Sequence, residues 1–485
     1  MADSPKSAAV QIVRTLREHG YKAYLVGGCV RYLVLGREPA DYDVATDAHP
    51  EDVMRIFPRT WAVGAQFGVV LVPVEGSGDR VIGSSGDLKI TEEAQENKPI
   101  TKSPDHQITR SPDHPITRSI EVATFRSDGL YTDGRHPHEV TYTREAREDV
   151  QRRDFTINGL LLDPTSNQVL DYVGGLADLR AGIVRTIGAP DGRFGEDKLR
   201  MLRALRFAAR FGYRIDPQTM ASIRGLAPQI AQVSRERVRD ELTKMLTEGQ
   251  ARRAFELLDE SHLLPEVLPE IERMKGVAQP PQFHPEGDVW VHTLLMLGML
   301  APAGSRTLAW GALLHDVGKP ATFRVAPDRI RFDGHVEVGV AMAQEIGRRL
   351  RMSNDDMRQI EALVANHMRF ADVFKMKPST LKRFLRLPRF AEHLEMHRID
   401  CLASHGDLSI YDFLRNKIAE LPPEEIRPAP LLTGRDLIAL GYQAGPRFKE
   451  ILAAVEDAQL EGRLRTKEEA LEFVSREFPR AVASG

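Results

Sequence analysis

The feature that most constrains this chain's fold is a change of hydrophobic period near residue 195. Before it, short apolar runs suit strands: AYLVGG (23–28), the stretch around DYDVAT (41–46), WAVGAQFGVVLVPV (61–74) and SIEVATFR (119–126). Between them lie amphipathic segments such as 8–19, which ends at Gly20. After residue 195 the apolar spacing is helical to the end, divided by proline-bearing joints near 217, 265–285, 319–327 and 421–432. One sheet or one bundle cannot accommodate both patterns. The expected architecture is a small α/β head followed by a long all-α body. A length of 485 residues also exceeds what one core supports and suits two to four domains.

Composition excludes several classes. No run of eighteen apolar residues occurs, and the opening MADSPKSAAV lacks the basic-then-apolar profile of a signal peptide. A cytoplasmic protein with no membrane partner is therefore expected. Cys29 and Cys401 form no metal-binding or disulfide pattern and read as reduced packing residues. The net charge of -3 does not decide nucleic-acid binding, which depends on local patches. One patch exists: residues 195–245 carry eleven Lys/Arg against six Asp/Glu. Residues 75–119 read as a disordered insertion, because the tandem octads SPDHQITR and SPDHPITR have no hydrophobic face. Their histidines, His106 and His114, read as solvated.

Asp41-Tyr42-Asp43 is placed on a strand, where alternation turns both carboxylates to one face. Two like charges so close repel unless a cation lies between them, and Mg²⁺ prefers such oxygen ligands. Glu121, between Ile120 and Val122 on a later strand, is positioned to add a third carboxylate. Upstream, Gly27-Gly28 falls at a strand-to-helix junction, where backbone N–H groups can approach a phosphate. D-x-D alone is common and is usually a solvated pair. Together with the glycine pair and the later acid, it suits in-line attack of a hydroxyl on a nucleoside triphosphate's α-phosphate.

The run LVGGCVRYLVLGREPADYDVAT resembles the first motif of the class II tRNA nucleotidyltransferase (CCA-adding enzyme) and bacterial poly(A) polymerase family. Four further blocks follow in the family's order: REDVQRRDFTINGLLLD (147–163), DYVGGLADLRAGIVRTIGAP (171–190), GEDKLRMLRALRFAARFGY (195–213) and SRERVRDELTKML (234–246). The resemblance implies a polymerase-β-type nucleotidyltransferase head, with Asp41, Asp43 and Glu121 catalytic and Mg²⁺ on the aspartates. It also implies triphosphate and ribose contacts from Gly28, Arg31, Arg153, Asp154 and Asn158. One departure is Tyr32, where the family usually has Asp after Val-Arg.

In the fourth block Arg200, Arg203, Arg206 and Arg210 share one helix face. Such a stripe is most often a solvated basic face, yet Asp197 lies three residues before Arg200. Cytosine and adenine both offer an amino donor beside a ring-nitrogen acceptor, whereas uracil and guanine reverse that order. A carboxylate and a guanidinium together would accept C and A and leave unpaired polar groups against U and G. The resemblance gives this role to Asp197 and Arg200 and extends nucleotide contact to Arg203 and Arg206.

A second constellation lies in the C-terminal half: His292, His315-Asp316, His335, His367 and Asp400. An adjacent His-Asp pair in an apolar helix is costly to bury unless paired or metal-bound. Imidazole and carboxylate without cysteine suit Ni²⁺, Mn²⁺, Co²⁺, Fe²⁺ or Mg²⁺ better than a closed zinc site. Residues 285–405 resemble an HD-type phosphohydrolase domain, in the form FHPEGDVWVHTLLML attached to bacterial CCA-adding enzymes. The implied ligands are His292, His315, Asp316 and Asp400, with His335 and His367 as further members. The implied reaction is attack of activated water on a phosphate ester, such as a 2′,3′-cyclic phosphate on damaged RNA.

The resulting organisation is a head over 1–165, a helical neck and RNA-binding region over 166–275, an all-α HD domain over 276–410 and a helical tail over 411–485. The expected activity is addition of C, C and A to tRNA 3′ ends from CTP and ATP. A poly(A) polymerase or A-adding enzyme is one alternative, and an HD phosphohydrolase with an RNA-binding head is another. GAQFGVV (64–70) follows the CCA-type form, where poly(A) polymerases usually carry Gly-Arg-Arg-Phe. FRSDGLYTDGRHPHEV (125–140) resembles the flexible loop needed for the final A.

Overall fold

The structure is a computed structural model that describes residues 4–62, 68–74, 119–128 and 140–479. The chain divides into two compact units, 1–196 and 197–485. The repeat at 103–118, GAQF (64–67) and most of the 125–140 segment lie outside the described residues.

The first unit is built on a mixed six-stranded sheet. Its strands are β1 (Ala23–Val26), β2 (Asp43–Thr46), β3 (Val69–Pro73) and β4 (Ser119–Thr124), with β7 (Leu160–Asp163) and β8 (Gln168–Asp171) at the other edge. Two short strands, β5 (Arg126–Asp128) and β6 (Val140–Tyr142), pair separately. The sheet order is β3-β4-β2-β1-β7-β8. Strand β8 pairs with β7, so the head sheet continues past residue 165, and the unit closes at Glu196. Ser119, assigned to the insertion above, opens β4.

Alternation decides which face of β4 is buried. Ile120, Val122 and Thr124 point into the core, while Ser119 and Glu121 face outward. The helix Pro5–Glu18 starts earlier than its pattern suggested because Pro5 is compatible with the first turn and Ser4 caps Ser7 N at 3.2 Å. It stops at Glu18, and Gly20 just beyond the cap adopts φ 88°.

The second unit is helical but for short strand pieces, including a hairpin of Arg324–Val325 and Ile330–Arg331. Separate buried clusters hold it together. One packs Met296, Ala312, Leu363, Met396 and Ile399, and another packs Phe370, Phe384, Leu394 and Leu414. A third belongs to the tail alone, where Leu437, Tyr442, Ile451, Val455 and Val474 join the helices Gly434–Ala439, Pro446–Leu460 and Lys467–Glu477. Among the described residues no helix is long and apolar enough to cross a membrane.

Candidate functional site

In the first unit, β2 and β4 run parallel with Asp43 directly opposite Glu121. Parallel partners project to the same face, so the two carboxylates are neighbours. Asp41 sits in a bend ahead of the strand rather than on it, because β2 begins at Asp43. Tyr42 between them is buried and donates its hydroxyl to Glu38 at 3.0 Å, which fixes the turn bringing Asp41 beside Asp43. Burial, then the charges of Glu121 and Asp41, push the Asp43 carboxyl up to about 6 against the opposing pull of Arg153. Such mutual repulsion is the electrostatic signature of a carboxylate cluster that gains from a cation.

The phosphate-side residues form two linked sets. Arg31 donates to Asn158 Oδ1, and Asn158 Nδ2 donates to Asp154 Oδ1 at 2.9 Å. Arg153 and Arg152 share Asp149: Arg153 binds Oδ2 through Nε at 3.2 Å and Nη2 at 2.9 Å, and Arg152 binds Oδ1 at 2.9 and 2.6 Å. Gly27 takes φ 71°, and a Cβ there would stand 3.5 Å from Arg153 Nη1. That contact is an ordinary one, so the positive φ rather than lack of space calls for glycine at the turn leading into the helix Gly28–Val34. Asp149 had no role in the sequence reading. Its signal was an acid three and four residues before an Arg-Arg pair on a helix.

In the second unit Asp197 uses both oxygens. Oδ1 accepts from Leu199 N at 3.0 Å, and Oδ2 accepts from Arg237 Nη2 at 2.7 Å. Arg237, in the fifth block, was not singled out from sequence. Arg200 begins the buried face of the helix Leu199–Phe211. The arginine stripe is not a solvated face. Arg206 is buried and divided between Glu241 (2.7 Å) and Glu248 (2.8 Å), Arg210 reaches Glu248 at 3.1 Å, and Arg203 lies 3.8 Å from Glu241.

The histidine constellation comes together. His292 lies on the helix Val289–Gly298, and Asp400 on Phe390–Ala403. The His315-Asp316 pair sits in the turn just after Arg306–Leu314 rather than within a helix. His335 opens His335–Arg349, and His367 follows Asn354–Asn366. Three of the histidines face the carbonyl three residues earlier through Nδ1: His315 to Ala312 (2.9 Å), His335 to Phe332 (2.9 Å) and His367 to Val364 (2.7 Å). His292 Nδ1 faces Glu286 Oε1 at 2.7 Å instead. A carbonyl can only accept, so those three Nδ1 atoms carry the proton and their Nε2 lone pairs are left to the centre.

Nε2 of His335 and His367 lie 3.3 Å apart with no proton to place between them. Both stand within 3.9 Å of Asp316 Oδ1, while His315 Nε2 is 3.1 Å from Oδ2 and His292 Nε2 is 3.2 Å from Asp400 Oδ1. His292 Nε2, His315 Nε2 and Asp316 Oδ1 are buried without a hydrogen-bond partner. Converging lone pairs and orphaned acceptors fit a bound divalent metal. Two sets of ligand atoms, His292/His315/Asp400 and Asp316/His335/His367, each lie within 4.8 Å of one another. Burial drives His367 down to about 4, which keeps it a neutral ligand. Burial opposes ionisation of Asp400, but the adjacent His292, 3.2 Å away, and the charge of His315 hold it well below the carboxylate range. Glu286, which also takes His284 Nδ1 at 2.9 Å, is a member the sequence reading missed, though it lies inside the quoted HPE run.

Residues 23–82 and 79–185 match the poly A polymerase head domain, and 212–275 match the family described as a probable RNA and SrmB-binding site of polymerase A. Residues 289–388 match the HD domain. The chain is similar to a CCA-adding enzyme from Anoxybacillus flavithermus, 28% identical over 96% of this chain and 95% of that one. Over the same span lies a Bacillus stearothermophilus CCA-adding enzyme crystallised with CTP, 28% identical, with a TM-score of 0.67 and 98% of each chain covered.

Poly A polymerase head and RNA-binding models thus match this chain, and relatives similar to it over nearly the whole length are CCA-adding enzymes. Local identity rises to 38% with the Geobacillus stearothermophilus CCA-adding enzyme, over 53% of this chain and 54% of that one. The chain thus spans about half the length of that relative. The polymerase head and HD domains matched here are metal-dependent. The six histidine-site residues provide the groups for a metal in the second unit.

Proposed function

We propose that this chain adds C, C and A to tRNA 3′ ends from CTP and ATP. The observation that carries the proposal is the Asp43–Glu121 pair in parallel register, with Asp41 in the bend just before the strand and the Arg153 charge close to Asp43. Asp41 and Asp43 are the Mg²⁺ ligands in this reading, and Glu121 completes the acidic face. Mg²⁺ bound there supplies the charge that activates the 3′-hydroxyl and steadies the departing pyrophosphate. Arg153, with Arg31 and Asn158, orients the triphosphate and ribose, and Asp149 and Asp154 hold those side chains in place. Asp197 and Arg200 read the amino group and ring nitrogen of C or A, with Arg237 fixing the carboxylate. Arg203 and Arg206 brace that helix through Glu241 and Glu248.

The names of the relatives and the GAQFGVV run both favour CCA addition over poly(A) synthesis. The proposed division is a head, a neck within 166–275, an HD domain within 276–410 and a tail from 411, in a cytoplasmic enzyme. The HD domain is assigned as a phosphohydrolase that uses Ni²⁺, Mn²⁺, Co²⁺ or Mg²⁺ to direct water at a phosphate ester. His292, His315, Asp316 and Asp400 hold the metal in that assignment, with His335 and His367 completing a second ligand set around Asp316.

The test is incubation of tRNA ending at the discriminator base with CTP, ATP or both, reading product lengths. Three added nucleotides require both substrates. Asp43→Asn should reduce incorporation by about a thousandfold or more. A long A ladder made without CTP would refute CCA addition.

A further inference from the structure

The HD cluster opens into a cavity of about 540 Å³, lined by His335, His367 and Asp400 together with Phe283, Phe332 and Lys319. Lys319 is unusual there because it is almost wholly buried. Its ammonium donates to Gln279 Oε1 at 2.7 Å, forms an ion pair with Asp316 Oδ2 at 2.7 Å, and lies 5.3 Å from the Phe332 ring centre. An ammonium has three N–H donors, and these contacts use two. Among the described residues no third acceptor lies within bonding distance, and the cavity is in front of it. The hydrogen bond to Gln279, the ion pair with Asp316 and close packing hold the ammonium in one place at the cavity wall.

We propose that Lys319 contacts the phosphoryl group of the substrate in this cavity and sets a preference for phosphate monoesters over diesters. The inference rests on the reading of 276–410 as a phosphohydrolase. A monoester presents three non-bridging oxygens and up to two negative charges, whereas a diester presents two oxygens and one charge. Two metal-ligand sets and one ammonium make three electrophilic positions, which match the monoester oxygen for oxygen. Against a diester one position is left without an acceptor. A 2′,3′-cyclic phosphate, being a diester, is then the poorer substrate, and a terminal 2′- or 3′-phosphate the better one.

The experiment uses the full chain loaded with Mn²⁺, and the variants Lys319→Met, Lys319→Gln and Lys319→Arg. Calorimetry of inorganic phosphate binding is read first, since it needs no turnover. The charge-removing variants should bind phosphate about ten- to hundredfold more weakly, and Lys319→Arg should recover most of the affinity. Hydrolysis of p-nitrophenyl phosphate should fall by a similar factor, while hydrolysis of bis-p-nitrophenyl phosphate falls less than about fivefold. Unchanged phosphate affinity, or parallel loss with both esters, overturns the inference. Loss of manganese in all three variants overturns it too and makes Lys319 a support for Asp316. Phosphate binding that depends on Lys319, in a wild-type protein that hydrolyses neither ester, upholds the contact and rejects the phosphohydrolase reading.

Discussion

Asp149 carries a large share of the head's order on one side chain. It is 2% exposed and holds Arg152 and Arg153 on separate oxygens. Burial disfavours its charge, but Arg153 and Arg152 outweigh that penalty and leave its carboxyl below the ordinary value. A carboxylate shifted that way stabilises the fold fully above the unfolded value near 4, and the contribution is lost as pH falls through the lower folded value. Asp149→Asn removes the charge and leaves two guanidinium groups half-paired, so a loss of about 3 kcal/mol is expected. Urea unfolding between pH 7 and 3 checks both points: the variant should be less stable at pH 7 and should lose less on acidification. An acid limb as steep as that of the wild type would remove Asp149 from its cause. Charge spacing alone could not single out Asp149, because an acid near two arginines on a helix is commonplace. Only burial and the shared geometry separate it from a surface pair worth little.

Elements were read from the sequence with uneven success, for reasons that differ by element. SIEVATFR reads as a strand carrying Glu121 between Ile120 and Val122, and it is one. Glu121 faces outward because period two turns Ile120 and Val122 to the core. The same logic overextended β2, because Asp41 lies in the turn that Tyr42 pins to Glu38. The HD pair was read into a helix, yet the helix stops at Leu314 and the pair occupies the turn that follows. That turn approaches the next helix so closely that only glycine fits at position 318. A Cβ there would lie 2.1 Å from the His335 carbonyl oxygen and 2.7 Å from Gly339 N. Gly318→Ala must therefore separate the turn from the helix His335–Arg349, splitting the ligand set of Asp316, His335 and His367. The expected outcome is destabilisation of about 3 kcal/mol, at the upper end for overpacking. Manganese binding should weaken at least tenfold by calorimetry, on the order of the loss when ligand geometry is disturbed. Retained manganese affinity in a folded variant would show that the turn can yield.

At the scale of the molecule, two compact units carry chemically different candidate metal sites: acidic oxygens at a sheet in one, imidazoles and carboxylates between helices in the other. The second site leaves His292 Nε2, His315 Nε2 and Asp316 Oδ1 buried without hydrogen-bond partners, so metal should act as a folding ligand for residues 197–485. At a hundred times its dissociation constant, a metal adds about 2.7 kcal/mol. Tryptophan fluorescence can follow this, because Trp290 and Trp310 are both buried in the second unit while Trp61 is 49% exposed. Thermal unfolding monitored this way should shift upward with Mn²⁺ or Ni²⁺ and not in His315→Ala. An equal shift in that variant would place the stabilising metal elsewhere.

The sequence by itself determined the α/β head, the helical body, the ordered motif blocks and the residue types of both metal sites. These follow from local period and spacing, which are properties of neighbours in the chain. Only the tertiary structure decided that Asp43 and Glu121 stand in parallel register. It also decided that Asp149, Glu286 and Arg237 hold the groups around them, that Arg206 is neutralised rather than solvated, and that Lys319 faces a cavity with a donor to spare. Each of those joins residues far apart in the chain or depends on which side chains are buried. Both follow from packing, which no local pattern encodes.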